Sequence, residues 1–188
     1  MKNHRLETER LILRAPKIED AEEMMEYNQP KEFWQYTTIP VVPPTLERVK
    51  SFLTMCIEDS KKEPRQLYYF VIVAKSLNKV IGDFRFYIEC LNSLKAEFGY
   101  GLSPQLHGKG YMTEALKEVI RFGFEDLKLK RISATAYPEN KPSAKVMKKC
   151  GFKHEGTLRK NALVRGRYFD EMFFSILQSE YENSLKNI

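Results

Sequence analysis

Residues 105–110, Gln105-Leu106-His107-Gly108-Lys109-Gly110, place two glycines, a histidine and a lysine just ahead of a strongly helical stretch. Glycines let a backbone approach a ligand closely and adopt conformations closed to residues with a Cβ. The first N–H groups of the helix that follows have no intrahelical partner and face outward at positive potential. The chemistry this favours is anion binding, of a phosphate or pyrophosphate. Neither GxxxxGK[ST] nor GxGxxG is present, and an ordinary glycine-bearing turn accounts for Gly-x-Gly as well. Asn140-Lys141-Pro142-Ser143 has the residue types of a helix start, with Asn140 near the N-cap. Cys150 and His154 are four apart but flank a Gly-Phe turn, and no second pair completes a metal site.

The elements that position these residues follow from periodicity. Leu11-Ile12-Leu13-Arg14 reads as a short strand ended by Ala15-Pro16, and Asp20 to Tyr27 as a helix. Pro30 to Pro44 contains four prolines and is expected to be an irregular loop. Thr45 is a candidate N-cap for a helix with Leu46, Val49, Phe52, Leu53 and Ile57 at helical spacing. Three strands, Leu67–Lys75, Val80–Glu89 and Leu94–Leu102, are spaced as an antiparallel meander. Residues 111–127 form a helix whose buried face includes Met112, Ala115, Leu116, Val119, Ile120 and Phe124. A strand at Arg131–Tyr137, a short helix at Pro142–Cys150 and strands at 153–164 and 168–177 complete a single α/β domain with a mixed sheet.

The chain of 188 residues is long enough for one domain with a sizeable core, with no need of disulfide or metal staples. The longest apolar run, Leu67 to Ala74, is too short to span a membrane. The N-terminus lacks an apolar core, so a signal peptide is not expected. Cys56, Cys90 and Cys150 are odd in number and form no CxxC, which fits reduced thiols in a cytoplasm. The net charge of +6 is unevenly spread: residues 1–104 sum to zero, residues 105–167 to +9 and the last 21 to −3. Nucleic acid, an anionic membrane, a small polyanion or plain solvated surface would each account for the basic stretch.

The motifs together resemble one family. Gln105-x-x-Gly108-x-Gly110, extended through Tyr111-Met112-Thr113-Glu114-Ala115, is similar to the cofactor-loop signature of the GNAT superfamily of N-acetyltransferases. The resemblance is to the branch containing the ribosomal-protein N-terminal acetyltransferases. Asn140-x-x-Ser143 with Lys148-Lys149-Cys150-Gly151-Phe152 resembles a further element of that branch. So do Ala96-Glu97-Phe98-Gly99-Tyr100, the opening Leu11-Ile12-Leu13-Arg14 and the closing Gly166-Arg167-Tyr168-x-Asp170. The resemblance covers about residues 6–180 of a single domain. It implies a mixed, mostly antiparallel sheet of about seven strands with helices on both faces and a splayed pair between the family's fourth and fifth strands.

It also implies chemistry: direct transfer of acetyl from acetyl-CoA to a primary amine, with no metal. Backbone N–H groups of residues 107–112 would cradle the CoA pyrophosphate, giving Gln105, His107, Gly108, Lys109, Gly110, Tyr111 and Met112 as cofactor residues. Tyr100, Gly101 and Leu102 would flank the pantetheine arm, with Asn140 and Ser143 near its end. The reaction needs a neutral amine, a stabilised oxyanion and a proton for the departing thiolate. Glu97 is the candidate base, directly or through water, and equally reads as a strand-edge carboxylate. Ser143 is the candidate acid, with Asn140 orienting the cofactor or a water. Many superfamily members carry a tyrosine seven residues after that asparagine; here the position is Met147, which has no proton to give. His107 is better suited to phosphate than to acting as a base.

The acceptor is a protein N-terminal α-amine or a small-molecule amine; the alternative is a non-catalytic acyl-CoA-binding or sensing module. An RNA-binding protein has only the charge in its favour, with no RNP1, KH or zinc-knuckle signature. No nucleic acid or membrane partner is expected, and the chain is read as a cytoplasmic monomer or homodimer. Phe33-Trp34-Gln35-Tyr36 either walls the acceptor cleft or caps the core. Arg167 and Asp170 either line the acceptor site or pair structurally. The acidic tail after Leu177 is a free end or a dimer contact.

Overall fold

Strand β3 (Leu67–Ala74) is almost wholly apolar because both its faces are covered. In the computed structural model, which describes residues 4–37, 44–90 and 92–186, Tyr68, Phe70, Ile72 and Ala74 enter one core. Tyr69, Val71 and Val73 enter a second core on the other side of the sheet. Successive side chains of a strand point to opposite faces, so one apolar run serves two layers.

Around β3 are β1 (Leu6–Glu7), β2 (Leu11–Arg14), β4 (Lys79–Cys90), β5 (Lys95–Leu102), β6 (Arg131–Ala136), β7 (Lys153–Val164) and β8 (Arg167–Leu177). The order is β1-β2-β3-β4-β5-β6-β8-β7. All neighbours are antiparallel except β5 and β6. The strand beyond the seven expected is β1, whose two residues pair Leu6 with Leu13 and Glu7 with Ile12. A two-residue strand has no period to read.

Helices α1 (Ala21–Asn28) and α2 (Leu46–Asp59) cover the second core through Ala21, Met24, Tyr27, Val49, Leu53 and Cys56. Thr45 caps α2, its hydroxyl accepting the Arg48 N–H at 3.3 Å. Helices α3 (Tyr111–Arg121) and α4 (Lys141–Lys149) cover the first core. The expected helix to residue 127 changes after α3 into a π-helical turn, Phe122–Asp126, which keeps Phe122 and Phe124 buried. Of the proline-rich loop, Lys31–Trp34 form a 3-10 turn, and residues 38–43 lie outside the described residues.

The acidic tail folds back as α5 (Gln178–Lys186) rather than standing as a free end. Lys153 pairs with Glu180 at 2.6 Å, the Tyr181 hydroxyl donates to Glu125 at 2.6 Å, and the Tyr181 ring packs 5.2 Å from Phe124. Among the described residues no helix is long and apolar enough to cross a membrane.

Candidate active site

Strands β5 and β6 pair at only three positions: Lys95 with Arg131, Ala96 with Ile132 and Glu97 with Ser133. Beyond Glu97 they part, and the β6-facing edge of β5 has no ladder partner. A cavity of about 240 Å³ fills the gap, between Phe98, Gly99 and Tyr100 on one strand and Ala134, Thr135 and Ala136 on the other. It runs through the sheet. Phe98, Tyr100, Ala134 and Ala136 belong to the face under α3 and α4, whereas Gly99 and Thr135 alternate to the opposite face. Asn140, Ser143 and Met147 close it on the helix side; Tyr36, Arg85 and Glu171 flank the other mouth.

On the helix side the fold brings three expected residues together. Asn140 is the N-cap of α4, its Oδ1 accepting the Ser143 N–H at 3.2 Å. The cap fixes the Ser143 backbone at the start of α4, which is the helix-start reading of Asn140. The Ser143 Oγ lies 2.9 Å from the Tyr100 hydroxyl. Burial pushes the Tyr100 phenol up to about 12, with the bond to Ser143 pulling the other way. At neutral pH the phenol thus keeps its proton. Met147 is fully buried in the cavity floor. Where Met147 has no proton to give, the lining of the same cavity holds the Tyr100 hydroxyl, a residue the sequence offered only as a cofactor contact. The Tyr137 hydroxyl is buried without a partner among the described residues. Tyr111 lies elsewhere, with its ring under Arg10.

Glu97 stands on the opposite face at the last paired position, beside the cavity rather than in its lining. Burial raises its pKa, and nearby Glu89 and Glu171 raise it further. Its carboxylate takes no hydrogen bond among the described residues, although the residue stays accessible to water.

The loop has the backbone its glycines predict. Gly108 and Gly110 have φ of +77° and +84°. A Cβ at Gly108 would meet nothing within 4 Å, so the position demands glycine through conformation alone. The first intrahelical bond of α3 runs from the Glu114 N–H to the Gly110 carbonyl at 3.0 Å. The N–H groups of Tyr111, Met112 and Thr113 remain for an anion. Gln105, His107 and Lys109 are exposed. His107 Nε2 lies 3.1 Å from the Leu102 carbonyl; a carbonyl only accepts, so that nitrogen carries the proton. The Met112 side chain is in the core, leaving its backbone as the part facing the loop. On β5, Phe33 covers Gly101, whose Cβ would stand 2.6 Å from the ring. Exposed Lys141, Lys145, Lys148 and Lys149 give α4 the concentrated positive charge seen in the sequence.

Arg10 is a loop residue that sequence reasoning missed. Its side chain donates to the Lys109 carbonyl at 3.1 Å and to Glu114 at 2.6 Å, and it stacks 4.6 Å over Tyr111. The only sequence signal was an unexplained acid in the first turn of α3.

The other candidates resolve individually. Phe33 and Trp34 cap the core, Trp34 Nε1 donating to the Asn28 carbonyl at 2.6 Å. Tyr36 walls the cavity and ties to the Glu139 carbonyl at 3.2 Å. Asp170 accepts the Lys160 N–H at 2.8 Å, a hairpin contact, while Arg167 lines a second cavity. Cys150 is a buried thiol, pushed up to about 12 by burial. Among the described residues no three His, Cys, Asp or Glu gather as a metal site.

The family model for an acetyltransferase (GNAT) domain matches residues 10–153, which include the loop, Glu97 and Ser143. The chain belongs to the GNAT acetyltransferase family. By that membership it is an acetyl-CoA-dependent N-acetyltransferase. It is 37% identical to the uncharacterized N-acetyltransferase p20 of Bacillus licheniformis, covering 94% of this chain and 97% of the relative. The structure of ribosomal-protein-S5-alanine acetyltransferase from Vibrio fischeri is similar with a TM-score of 0.83 at 28% identity, over 94% of this chain and 97% of that one. Spermidine N-acetyltransferase from Vibrio cholerae, in complex with CoA and spermine, shares the fold with a TM-score of 0.79 at 23% identity, over 94% of this chain and all of the other. The GNAT cofactor fits the residues present. The positive-φ glycine loop and open helix N-terminus suit its phosphates, and the unpaired edge of β5 suits an amide-bearing arm.

Proposed function

We propose that this GNAT protein transfers acetyl to a primary amine at the gap between β5 and β6, with Glu97 as base and Ser143, backed by Tyr100, as proton donor. The observation that carries this reading is the Tyr100–Ser143 hydroxyl pair, 2.9 Å apart inside the through-sheet cavity. Acetyl-CoA supplies an activated thioester. The α3 N-terminus and residues 105–112 hold its phosphates, and residues 100–102 align its arm.

On the acceptor face, Glu97 takes the proton that the amine must lose, directly or through a water. Its raised pKa narrows the gap to the amine, which is about 10.4 for a side-chain amine and 7.7–8.0 for an α-amine. On the helix face, the Ser143 Oγ hands a proton to the departing sulfur as it takes one from the Tyr100 hydroxyl, and solvent then returns a proton to the phenolate. Asn140 holds Ser143 in place through its cap. The compartment this reading implies is the cytoplasm, where acetyl-CoA and reduced cysteines coexist.

The test is thiol release from acetyl-CoA by the purified protein across peptides with varied N-termini and small amines. Amine-dependent release with acetylated product supports the reading. Acetyl-CoA binding without turnover on any amine overturns it in favour of a sensing module.

A further inference from the structure

The acceptor mouth carries charge that the transfer itself does not use. Arg85 of β4 lies across β5 at Gly99, where a Cβ would stand 3.8 Å from its Nη2, and it lines the cavity. Asp83, two residues earlier on β4, approaches the guanidinium only to 3.9 Å, from Oδ1 to Nε. That is beyond hydrogen-bond range. Asp83 is instead served by phenols: the Tyr27 hydroxyl donates to Oδ2 at 3.0 Å, and Tyr69 also bonds to it. The two Nη atoms of Arg85 therefore have no hydrogen-bond partner among the described residues.

A second cavity, of about 380 Å³, adjoins the first across Tyr36, Thr37 and Tyr137. Arg165 and Arg167 line it, and the Arg167 guanidinium lies 5.8 Å from the Phe169 ring, with no side-chain hydrogen bond among the described residues. The shared wall holds the Tyr137 hydroxyl, which has no partner among the described residues. Arg85 in the first cavity and Arg167 in the second thus lie on either side of this wall, with Glu171, which already accepts from Asn161 at 2.7 Å, in the lining of the first.

We infer that the acceptor carries an anionic group, a carboxylate or a phosphate, besides the amine it presents, and that Arg85 holds that group. This rests on the reading that the amine arrives on the Glu97 face. Gly99 and Glu97 are two residues apart, about 7 Å along an extended strand. An amine and an anion separated by a few bonds span that distance. A guanidinium fork matches either anion bidentately. A polyamine would bring its charges against Arg85 instead.

The experiment measures kcat/KM by thiol release for amino carboxylates, aminoalkyl phosphates, neutral amines of matched basicity, spermidine and a neutral N-terminal peptide. The wild type is expected to favour an anionic acceptor over its neutral match by roughly 10- to 100-fold, the effect of a charge-assisted contact. The carboxylate and phosphate arms tell which anion is read. Arg85→Met should bring the ratio close to one. Arg85→Lys, which keeps a charge near Asp83 but loses the fork, should give an intermediate ratio. Melting temperature and acetyl-CoA Kd show that each variant is folded; if Arg85→Met is not, the wild-type and Arg85→Lys ratios decide. A wild-type preference for spermidine, neutral amines or the neutral peptide overturns the inference. So does an unchanged ratio in a folded variant. Turnover without anion preference removes only the role of Arg85, whereas no turnover on any amine overturns the transfer reading as well.

Discussion

Replacing Glu114 with Gln tests whether the cofactor loop is held from outside itself. Glu114 Oε1 accepts the Thr8 hydroxyl at 2.5 Å and the Arg10 N–H at 2.9 Å, and Oε2 accepts Arg10 Nε at 2.6 Å. Glutamine keeps the shape but turns one acceptor into a donor facing donors. Charge-assisted bonds are worth about 1.5–3 kcal/mol each. The Arg10 side chain is 42% exposed, so solvent screens the pair, and the expected loss is about 1–2 kcal/mol. That lowers Tm by about 2–8 °C for a chain of this size. Burial acts to raise the Glu114 pKa, but the bonds from Thr8 and Arg10 outweigh it and the net shift is downward. The stabilisation is thus present above the unfolded carboxylate value and is lost as pH falls through the folded one. The gap between wild type and variant should therefore close on acidification. Because Arg10 also holds the Lys109 carbonyl, CoA affinity should weaken by up to about tenfold per 1.4 kcal/mol of lost restraint. Thermal denaturation and calorimetric CoA titration of Glu114→Gln, Arg10→Met and the double variant give the coupling. A lowered Tm with unchanged CoA Kd, or no coupling between the two sites, would refute the reasoning.

Three further outcomes are expected. Gly101→Ala places a Cβ 2.6 and 2.9 Å from the Phe33 ring and should cost about 1–3 kcal/mol; Phe33→Leu should recover part of it, and equal stability of the single and double variants in urea would contradict the packing. The acid limb of kcat/KM should lie above the ordinary carboxylate value of about 4.3, because burial and then Glu89 and Glu171 raise Glu97; activity falls as pH drops through that limb, and Glu97→Gln should abolish it. Cys56 and Cys150, both pushed up to about 12 by burial, hold on the order of 10⁻⁴ thiolate at pH 8; site-resolved mass spectrometry should find them slow to alkylate in native protein and fast in urea.

What the sequence made legible was what repeats or costs. The long apolar strand at Leu67–Ala74, the amphipathic helix from Tyr111 and the Thr45 cap all carry period or capping chemistry, and each appears where expected. Gly108 and Gly110 were readable because positive φ restricts residue type. Long-range pairings were not. Nothing local links Arg10 to Glu114, 104 positions away, or Tyr100 to Ser143, 43 away. Tyr100 could be named as a cofactor neighbour, but its hydroxyl partner depends on α4 packing against the gap. The tail was hard to read for a different reason: α5 is polar, with no buried residue, and is held by the Lys153–Glu180 ion pair and by Tyr181. Its pattern resembles a solvated end until β8 places it beside Glu125 and Lys153.

The account stands most directly on Ser143. Single-turnover acetyl transfer by Ser143→Ala, measured beside its acetyl-CoA Kd, separates proton donation from binding. The account predicts a rate at least about tenfold lower with affinity close to wild type, and a smaller drop of the same kind for Tyr100→Phe. A wild-type rate in Ser143→Ala would remove the hydroxyl pair from the chemistry.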